Sequence, residues 1–142
     1  MADLTRKLGI APGQTLCLLD PPAASETLLR SVCPPEVTLA LPLAPPQTAS
    51  DRYDAVFFWP TALAGLPERF AALQRAIVPA GAVWAVMPNK RTAPQRGISF
   101  TWEVMQAAAL TTDLVDNKIV SLSGEEYATR FVIRKERRGL YR

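Results

Sequence analysis

Unbroken apolar runs alternate with amphipathic segments along the first part of the chain. Thr15–Leu19 is apolar without alternation, which is typical of a strand covered on both faces. Residues 24–33 have apolar side chains at helical spacing, with Ser25 as a possible N-cap, and a diproline follows them. Residues 37–41 predict a second strand, and the proline-rich segment 42–52 predicts an extended loop. This part of the chain therefore predicts a strand, a helix, a strand and a loop.

A strand, a helix and another strand are predicted over residues 53–87. The apolar run 53–59 ends at a proline, and Pro67 suits the first position of a helix. We expect this helix to reach Ile77, the last of three apolar residues on one face, before a Pro-Ala-Gly stop. Residues 82–87 then predict a buried strand. A unit of this kind with short connections makes a right-handed parallel crossover.

The end of the chain predicts a helix and a β-hairpin. After a polar loop, residues 101–110 have a helical pattern, for which Ser99 or Thr101 is a possible N-cap. Two β-rich runs, 114–122 and 127–134, are separated by a short connection that contains glycine. Such a connection favours an antiparallel hairpin.

The whole pattern predicts a single α/β domain over residues 1–142, with an open, mostly parallel sheet of about six strands that ends in an antiparallel hairpin. This order of elements resembles the Rossmann-like fold of S-adenosylmethionine-dependent methyltransferases. The likeness is most concrete in residues 53–59, 73–77 and 79–84, which look like that family's fourth strand, helix and fifth strand. The chain is too short for one further strand and helix of that family.

A second resemblance covers nearly the whole chain. Its motifs are the segment 7–13, Trp84 with residues 88–90, and residues 114–119 with residues 130–132. These resemble a bacterial family of small proteins known as a domain of unknown function, which implies a compact α/β fold and no established activity. The chain departs from that family's pattern at residues 125–128, where Trp-Ser-Gly is common.

The composition removes several classes of chemistry. The chain has 142 residues, a formal charge of +3 and no histidine, so it has no Ser-His-Asp or Cys-His pair and no imidazole metal ligand. We predict no metal site. Cys17 lies in a predicted strand and Cys33 at a helix end, which favours unpaired thiols in a reducing compartment. Because no segment has the ~20 apolar residues of a membrane helix and none is typical of a signal peptide, we expect no membrane contact and a cytoplasmic location.

The turn after the first strand is unsuited to the usual nucleotide-binding mode. Methyltransferases and dehydrogenases have a glycine-rich turn there, whereas residues 20–24 are Asp-Pro-Pro-Ala-Ala. Pro21 and Pro22 remove two backbone donors, and residues 41–44 provide no acid for a ribose. We therefore predict no cofactor, with S-adenosylmethionine in a divergent pose as the alternative.

Several polar or aromatic residues follow strand ends on the rim where α/β sheets bind ligands. They are Asp20, Trp59, Thr61, Asn89, Lys90 and Arg91. Together they would form a pocket with one acid, an aromatic wall and two cations, suited to a small anionic or planar ligand. In the alternative interpretation, Asp20 caps the next helix, Trp59 packs under a loop, and both cations are solvated.

A second polar group, Asp116, Asn117 and Lys118, is expected on the opposite edge of the sheet. In a regular strand, Asp116 and Lys118 share one face and can form an ion pair, while Asn117 points the other way. This arrangement favours a structural polar link or a subunit contact over catalysis.

The basic charge is concentrated in residues 134–142, here called the basic run. Its cations are Arg134, Lys135, Arg137, Arg138 and Arg142. They predict either weak nucleic-acid association or a flexible, solvated tail over residues 135–142. The hairpin at the end of the sheet also leaves an edge through which two copies can associate.

These observations favour a non-catalytic binding or regulatory module on a degenerate methyltransferase-like scaffold. The first alternative is a small-metabolite enzyme, for example a divergent S-adenosylmethionine-dependent transferase in which Lys90 and Asp20 direct group transfer. The second alternative is weak nucleic-acid association through the basic run. The sequence assigns no catalytic residue.

Overall fold

A computed structural model of the protein describes residues 2–41 and 52–141. Its helices and strands, in chain order, are α1 (Ala2–Lys7), β1 (Thr15–Leu19), α2 (Ala23–Val32), β2 (Thr38–Ala40), β3 (Tyr53–Phe58), α3 (Leu66–Leu73), β4 (Ile77–Pro88), α4 (Trp102–Leu110), β5 (Leu114–Ser121) and β6 (Glu126–Ile133). Two 3₁₀ helices cover Ala93–Arg96 and Lys135–Tyr141. Of the predicted loop 42–52, all but Arg52 lies outside the described residues.

The six strands form one open sheet in the order β2-β1-β3-β4-β6-β5. The strands β2, β1, β3 and β4 are parallel, and β6 runs antiparallel to both β4 and β5. This confirms the predicted mostly parallel α/β sheet with an antiparallel hairpin. The chain winds to opposite sides of β1 when it enters β2 and β3, so the switch point, where ligands bind in such sheets, lies between β1 and β3.

Each face of the sheet has its own apolar core because successive side chains of a strand point to opposite faces. On the face covered by α1 and α2, the Phe57 and Trp84 rings stack with centroids 5.7 Å apart. On the face covered by α3 and α4, Phe70 contacts Phe58 and Phe131 edge to face at 5.2 and 5.3 Å. The apolar run 55–58 of β3 follows from this double coverage.

The predicted boundary between the helix that begins near Pro67 and the next strand is wrong. The helix α3 ends at Leu73, and Ile77 begins β4 instead of extending the helix. The pairing of β3 with β4 shifts register next to Gly81, where an added Cβ would lie 2.7 Å from the Asp54 carbonyl oxygen. Glycine is therefore required by a close approach of two backbones, which a pattern of apolar residues does not reveal.

The two predicted N-caps have different outcomes. Thr101 caps α4, because its side-chain oxygen accepts a hydrogen bond from the Val104 N–H at 3.3 Å. Ser25 does not cap α2, which begins after Pro22 without a side-chain cap. Ser25 instead lies within the helix and is 5% exposed, so its hydroxyl is available for a buried contact.

A bulge in β5 overturns the expectation that Asp116 and Lys118 share a face. The register with β6 shifts between them, so Asp116 lies opposite Phe131 and Lys118 lies opposite Arg130. Asp116 accepts a hydrogen bond from Gln106 of α4 at 2.9 Å, whereas the Lys118 ammonium lies 5.9 Å from the Trp84 ring on the other face. The expected shared face is therefore wrong, while association of two copies through this edge of the sheet stays a prediction.

Residues 135–141, within the segment predicted to be a flexible tail, form a 3₁₀ helix whose Tyr141 packs into the core. The Tyr141 side chain is buried, and its hydroxyl donates to the Asp113 carboxylate at 2.5 Å. The same carboxylate accepts from Arg137 at 3.0 Å, and Arg52 donates to the Tyr141 carbonyl. These bonds offset the entropy lost on ordering the terminus. Arg142 lies outside the described residues.

Both cysteines are free thiols. Cys17 is buried in β1, and burial raises its pKa to about 12, which keeps the thiol protonated and unreactive near neutral pH. Over residues 2–41 and 52–141, no helix has the length and apolar character needed to cross a bilayer.

Candidate functional site

The carboxyl ends of β1, β3 and β4 and the first residue of β6 lie on one edge of the sheet, here called the rim. The first three strands are parallel, so their ends meet there, and Glu126 of β6 lies opposite Pro88 at the end of β4. The segments that leave β1, β3 and β4 therefore converge on the start of the hairpin's second strand.

A buried carboxylate joins these segments. The Glu126 side chain is 3% exposed and accepts hydrogen bonds from the Ser25 hydroxyl at 2.6 Å and the Trp59 indole N–H at 3.1 Å. The Arg96 guanidinium donates to the same oxygen as Trp59, at 2.5 Å. We call these four residues the Glu126 cluster. Both carboxylate oxygens are bonded, and the positive charge of Arg96 compensates the buried negative charge.

Each member of the Glu126 cluster comes from a different element. Ser25 is in the first turn of α2, Trp59 directly follows β3, and Arg96 ends the 3₁₀ helix Ala93–Arg96. Glu125, at the tip of the hairpin, adds a second, exposed carboxylate 3.7 Å from Arg96. The cluster thus links both halves of the sheet at the rim.

Three clefts open on the rim around the cluster. The first, the switch-point cleft, has a volume of about 580 Å³ and lies at the end of β1, between Leu41 after β2 and Arg69, whose guanidinium lies over the Phe58 ring at the end of β3. Asp20, Glu26 and Arg69 line it, together with Pro21 and Leu41. It occupies the place where open α/β sheets commonly bind ligands.

The second, the hairpin cleft, lies between α2 and the β5–β6 turn and has a volume of about 550 Å³. Ser25, Arg91, Arg96 and Glu126 are among its lining residues. The Arg91 guanidinium donates to the Gly124 carbonyl at 3.3 Å. Most polar groups of the hairpin cleft therefore already have partners within the protein.

The third, the aromatic cleft, lies beyond the end of β4 beside the start of α4 and has a volume of about 630 Å³. Its walls include the half-buried rings of Phe100, Trp102 and Tyr127, with Lys90 and Glu103 exposed. Burial, and secondarily the negative charge of Glu103, raises the pKa of Tyr127, so the phenol stays protonated at neutral pH.

The structure distributes the predicted rim residues instead of gathering them in one pocket. Asp20 lines the switch-point cleft, Arg91 the hairpin cleft, and Asn89 and Lys90 the aromatic cleft. Trp59 and Thr61 line none of the three, because Trp59 belongs to the Glu126 cluster and Thr61 is exposed. The six residues thus do not line one common cleft. Two hydrogen bonds fix the Asn89 side chain, which donates to the Gly124 carbonyl at 2.6 Å and accepts from the Thr92 N–H at 3.0 Å.

Sequence reasoning missed Ser25, Arg96 and Glu126 as members of one site. One local signal was present: Glu126 directly precedes the predicted strand 127–134, and a carboxylate buried at the end of a sheet is costly unless it is paired. Its partners are far away in the chain, with Ser25 at a separation of 101 positions and Trp59 at 67.

The turn after β1 has unusual geometry for a nucleotide site. Asp20 has a φ of 56°, which is the left-handed conformation that glycine usually supplies in a tight turn. Pro21 and Pro22 have no N–H to offer a phosphate or carboxylate, and Asp20 does not cap α2. The turn is therefore as tight as a glycine-rich turn. It lacks the backbone N–H donors with which such a turn would bind S-adenosylmethionine in the usual mode.

Other predicted contacts lie away from the rim or are used within the protein. Asp116 links β5 to α4 and Lys118 faces Trp84, as described above. In the basic run, Arg137 is paired with Asp113, and Arg138 donates to the Ile133 carbonyl at 3.0 Å. Within the part of the chain that the structure describes, no group of three or more Cys, Asp or Glu residues is arranged to hold a metal ion.

No protein-family model and no curated protein matches the chain by sequence. Solved structures do match. The N-methyltransferase NodS from Bradyrhizobium japonicum is 11% identical, with a TM-score of 0.62 and 94% of each chain covered. A TehB-like methyltransferase from Corynebacterium glutamicum is 12% identical, with a TM-score of 0.57 and coverage of 94% of this chain and 86% of that one.

A geranyl diphosphate C-methyltransferase from Streptomyces coelicolor, solved with Mg²⁺, geranyl diphosphate and S-adenosyl-L-homocysteine, is also similar. It is 11% identical, has a TM-score of 0.58, and the match covers 94% of this chain and 79% of that one. At such identities the likeness concerns the fold and not the activity. The resemblance inferred from the sequence is thus confirmed at that level: this chain has the Rossmann-like fold of S-adenosylmethionine-dependent methyltransferases.

Proposed function

We propose that this protein is a non-catalytic binding or regulatory module on a methyltransferase-like scaffold. The observation that carries the proposal is the Glu126 cluster, in which the buried carboxylate of the rim is bonded entirely to the protein's own side chains. A general base must reach a substrate proton within about 3 Å. Glu126 has both oxygens engaged and is almost fully buried, which suits a structural role.

The cluster also gives the rim the rigidity that a binding surface needs. It ties the segments after β1, β3 and β4 to the start of β6 through short hydrogen bonds. Side chains held by such bonds lose little further freedom when a ligand arrives, which favours affinity. The clefts around the cluster are large enough for a small molecule.

The turn at Pro21 and Pro22 supports the same proposal, since it lacks the two N–H donors that would face a cofactor. Calorimetry and thermal denaturation with S-adenosylmethionine and S-adenosylhomocysteine test it. If a ligand with a Kd of about 10 μM is present at about 1 mM, it stabilises its protein by about 2.7 kcal/mol. We expect no binding heat and no such stabilisation.

Matched variants decide what a positive result means. Asp20→Ala removes the acid of the switch-point cleft, and Thr61→Ala changes an exposed residue outside the three clefts. Micromolar binding of either molecule that is lost in Asp20→Ala and kept in Thr61→Ala would overturn the proposal. No binding in any of the three proteins is the result that supports it.

The second candidate function is a divergent S-adenosylmethionine-dependent transferase. The switch-point cleft favours it, because Asp20, Glu26 and Arg69 surround an open volume of about 580 Å³ at the end of β1. The carboxylates would attract an ammonium or sulfonium group, and Arg69 a carboxylate. If binding in the titration above is also lost in Arg69→Ala, the transferase becomes the better description.

A further inference from the structure

We propose that the aromatic cleft is a binding site for a planar heteroaromatic molecule of no net charge, held by ring contacts and by a hydrogen bond to the Tyr127 hydroxyl. The inference deepens the proposed binding function and rests on it. It follows from the shape of the cleft, from one polar group without a partner, and from the charges at the mouth.

The walls of the cleft suit a flat ring. Phe100, Trp102 and Tyr127 are half-buried aromatic residues packed against the core under α3 and α4, and Met87 and Ile98 are buried beneath them. Aromatic rings bind other rings by stacking or by edge-to-face contact. The volume of about 630 Å³ lies within the range of small-molecule sites.

The Trp102 ring is held in place before any ligand arrives. Its indole N–H donates to the Thr129 hydroxyl at 2.9 Å, and Thr129 is fully buried in β6. The Thr101 cap fixes the start of α4 beside it. A ring that is already ordered costs less conformational entropy on binding.

One polar group in the cleft has no partner within the protein. The Tyr127 hydroxyl makes no hydrogen bond to any residue in the described ranges and is open to the cleft, since every fully buried side-chain polar atom in those ranges has a partner. The phenol is protonated at neutral pH and can both donate and accept. A ring nitrogen or N–H of a ligand would satisfy it.

The charges favour a ligand without net charge. Lys90 and Glu103 line the cleft with opposite signs, and both are exposed. A monoanion or monocation gains from one of them and is opposed by the other, while it still loses hydration among the apolar walls. A neutral heteroaromatic ring avoids this cost.

Indole is a suitable probe, measured by ¹H–¹⁵N NMR on the full chain. Its three tryptophans provide internal controls, because Trp102 lines the cleft whereas Trp59 and Trp84 lie in the Glu126 cluster and the core. We expect indole to shift the Trp102 side-chain resonance and to leave the other two unchanged. No shift of Trp102 at millimolar indole would overturn the inference.

Conservative variants test the hydrogen bond and the charges. Tyr127→Phe keeps the ring and should weaken indole binding about tenfold, whereas Tyr53→Phe, outside the cleft, should leave it unchanged. Benzoate and benzamidine should bind the natural chain more weakly than indole does. Lys90→Gln should improve benzamidine binding and Glu103→Gln should improve benzoate binding, because each leaves one charge unopposed.

Two further results would contradict the proposed site: equal indole affinity in Tyr127→Phe, or tighter binding of benzoate than of indole. Either would leave the proposed module intact with another ligand. The same spectra recorded with S-adenosylhomocysteine report separately on the proposed function, since shifts around Asp20 and Glu26 that saturate in the micromolar range would contradict it whatever indole does.

Discussion

Replacing Glu126 with alanine tests most directly whether the Glu126 cluster stabilises the fold. The substitution removes the acceptor of three hydrogen bonds, from Ser25, Trp59 and Arg96. A buried donor left without a partner costs about 1–3 kcal/mol, and breaking a buried ion pair costs about 3–5 kcal/mol. The Arg96 side chain is 29% exposed and regains some hydration. We therefore expect the free energy of unfolding to fall by about 3 kcal/mol.

Urea denaturation followed by tryptophan fluorescence measures this loss, provided that the m-value is unchanged. Glu126→Gln keeps the size and one acceptor oxygen, so it should lose only about 1–2 kcal/mol. Glu125→Ala is the matched control, since that neighbouring carboxylate is 67% exposed and 3.7 Å from the same arginine. It should change stability by less than about 0.5 kcal/mol. If Glu126→Ala were as stable as Glu125→Ala, the reasoning would be refuted.

A double-mutant cycle isolates the Arg96–Glu126 contact. Arg96→Ala alone leaves the carboxylate buried without its cation, whereas the double variant removes both charges. The two losses should therefore not add, and the coupling energy should be about 1–3 kcal/mol. Strict additivity would show that the 2.5 Å contact contributes nothing to stability.

Three further predictions concern other parts of the fold. Gly81→Ala should cost about 1–3 kcal/mol in thermal denaturation because the new Cβ meets the Asp54 carbonyl oxygen at 2.7 Å, whereas Gly139→Ala, with nothing within 4 Å, should be nearly neutral. The hydrogen bond from Tyr141 lowers the pKa of Asp113 below its ordinary 3.8. This carboxylate therefore stabilises the fold above pH 3.8, and the stabilisation is lost as the pH falls through the pKa that Asp113 has in the folded protein. Asp113→Asn should then cost about 1 kcal/mol at neutral pH and progressively less as the pH falls below 3.8, and a loss that stays constant with pH would contradict this. If the chain binds DNA through all five cations of the basic run, the slope of log K against log salt should be about −4.5. Because Arg137 and Arg138 are already bonded to protein atoms, we expect a slope of about −3 or shallower.

The fold was largely predictable because its signals are local. Apolar runs such as that of β3, which ends before Pro60, indicate buried strands wherever they occur in a chain. The boundary at Ile77 was mispredicted because an apolar residue fits a helical face and a strand equally well. The close backbone approach at Gly81, which sets the register there, involves Asp54 on another strand.

The candidate site was only partly predictable. The candidate residues follow strand ends, but the consecutive residues Asn89, Lys90 and Arg91 do not line the same cleft. Asn89 and Arg91 both donate to the Gly124 carbonyl of the distant hairpin, which the local sequence does not show. Similarly, the bulge that separates Asp116 from Lys118 arises in the pairing with β6 and has no local signal.

The order of strands and helices, the lack of histidine chemistry and the two imino acids after β1 are properties of the sequence alone, because each depends on residue types and their spacing. The partners of Glu126, the packing of Tyr141 and the division of the rim into separate clefts were decided by the tertiary structure. The physical reason is distance: a buried charge or ring is stabilised by whatever lies within a few ångströms in space, and here those groups are separated by up to 101 positions along the chain.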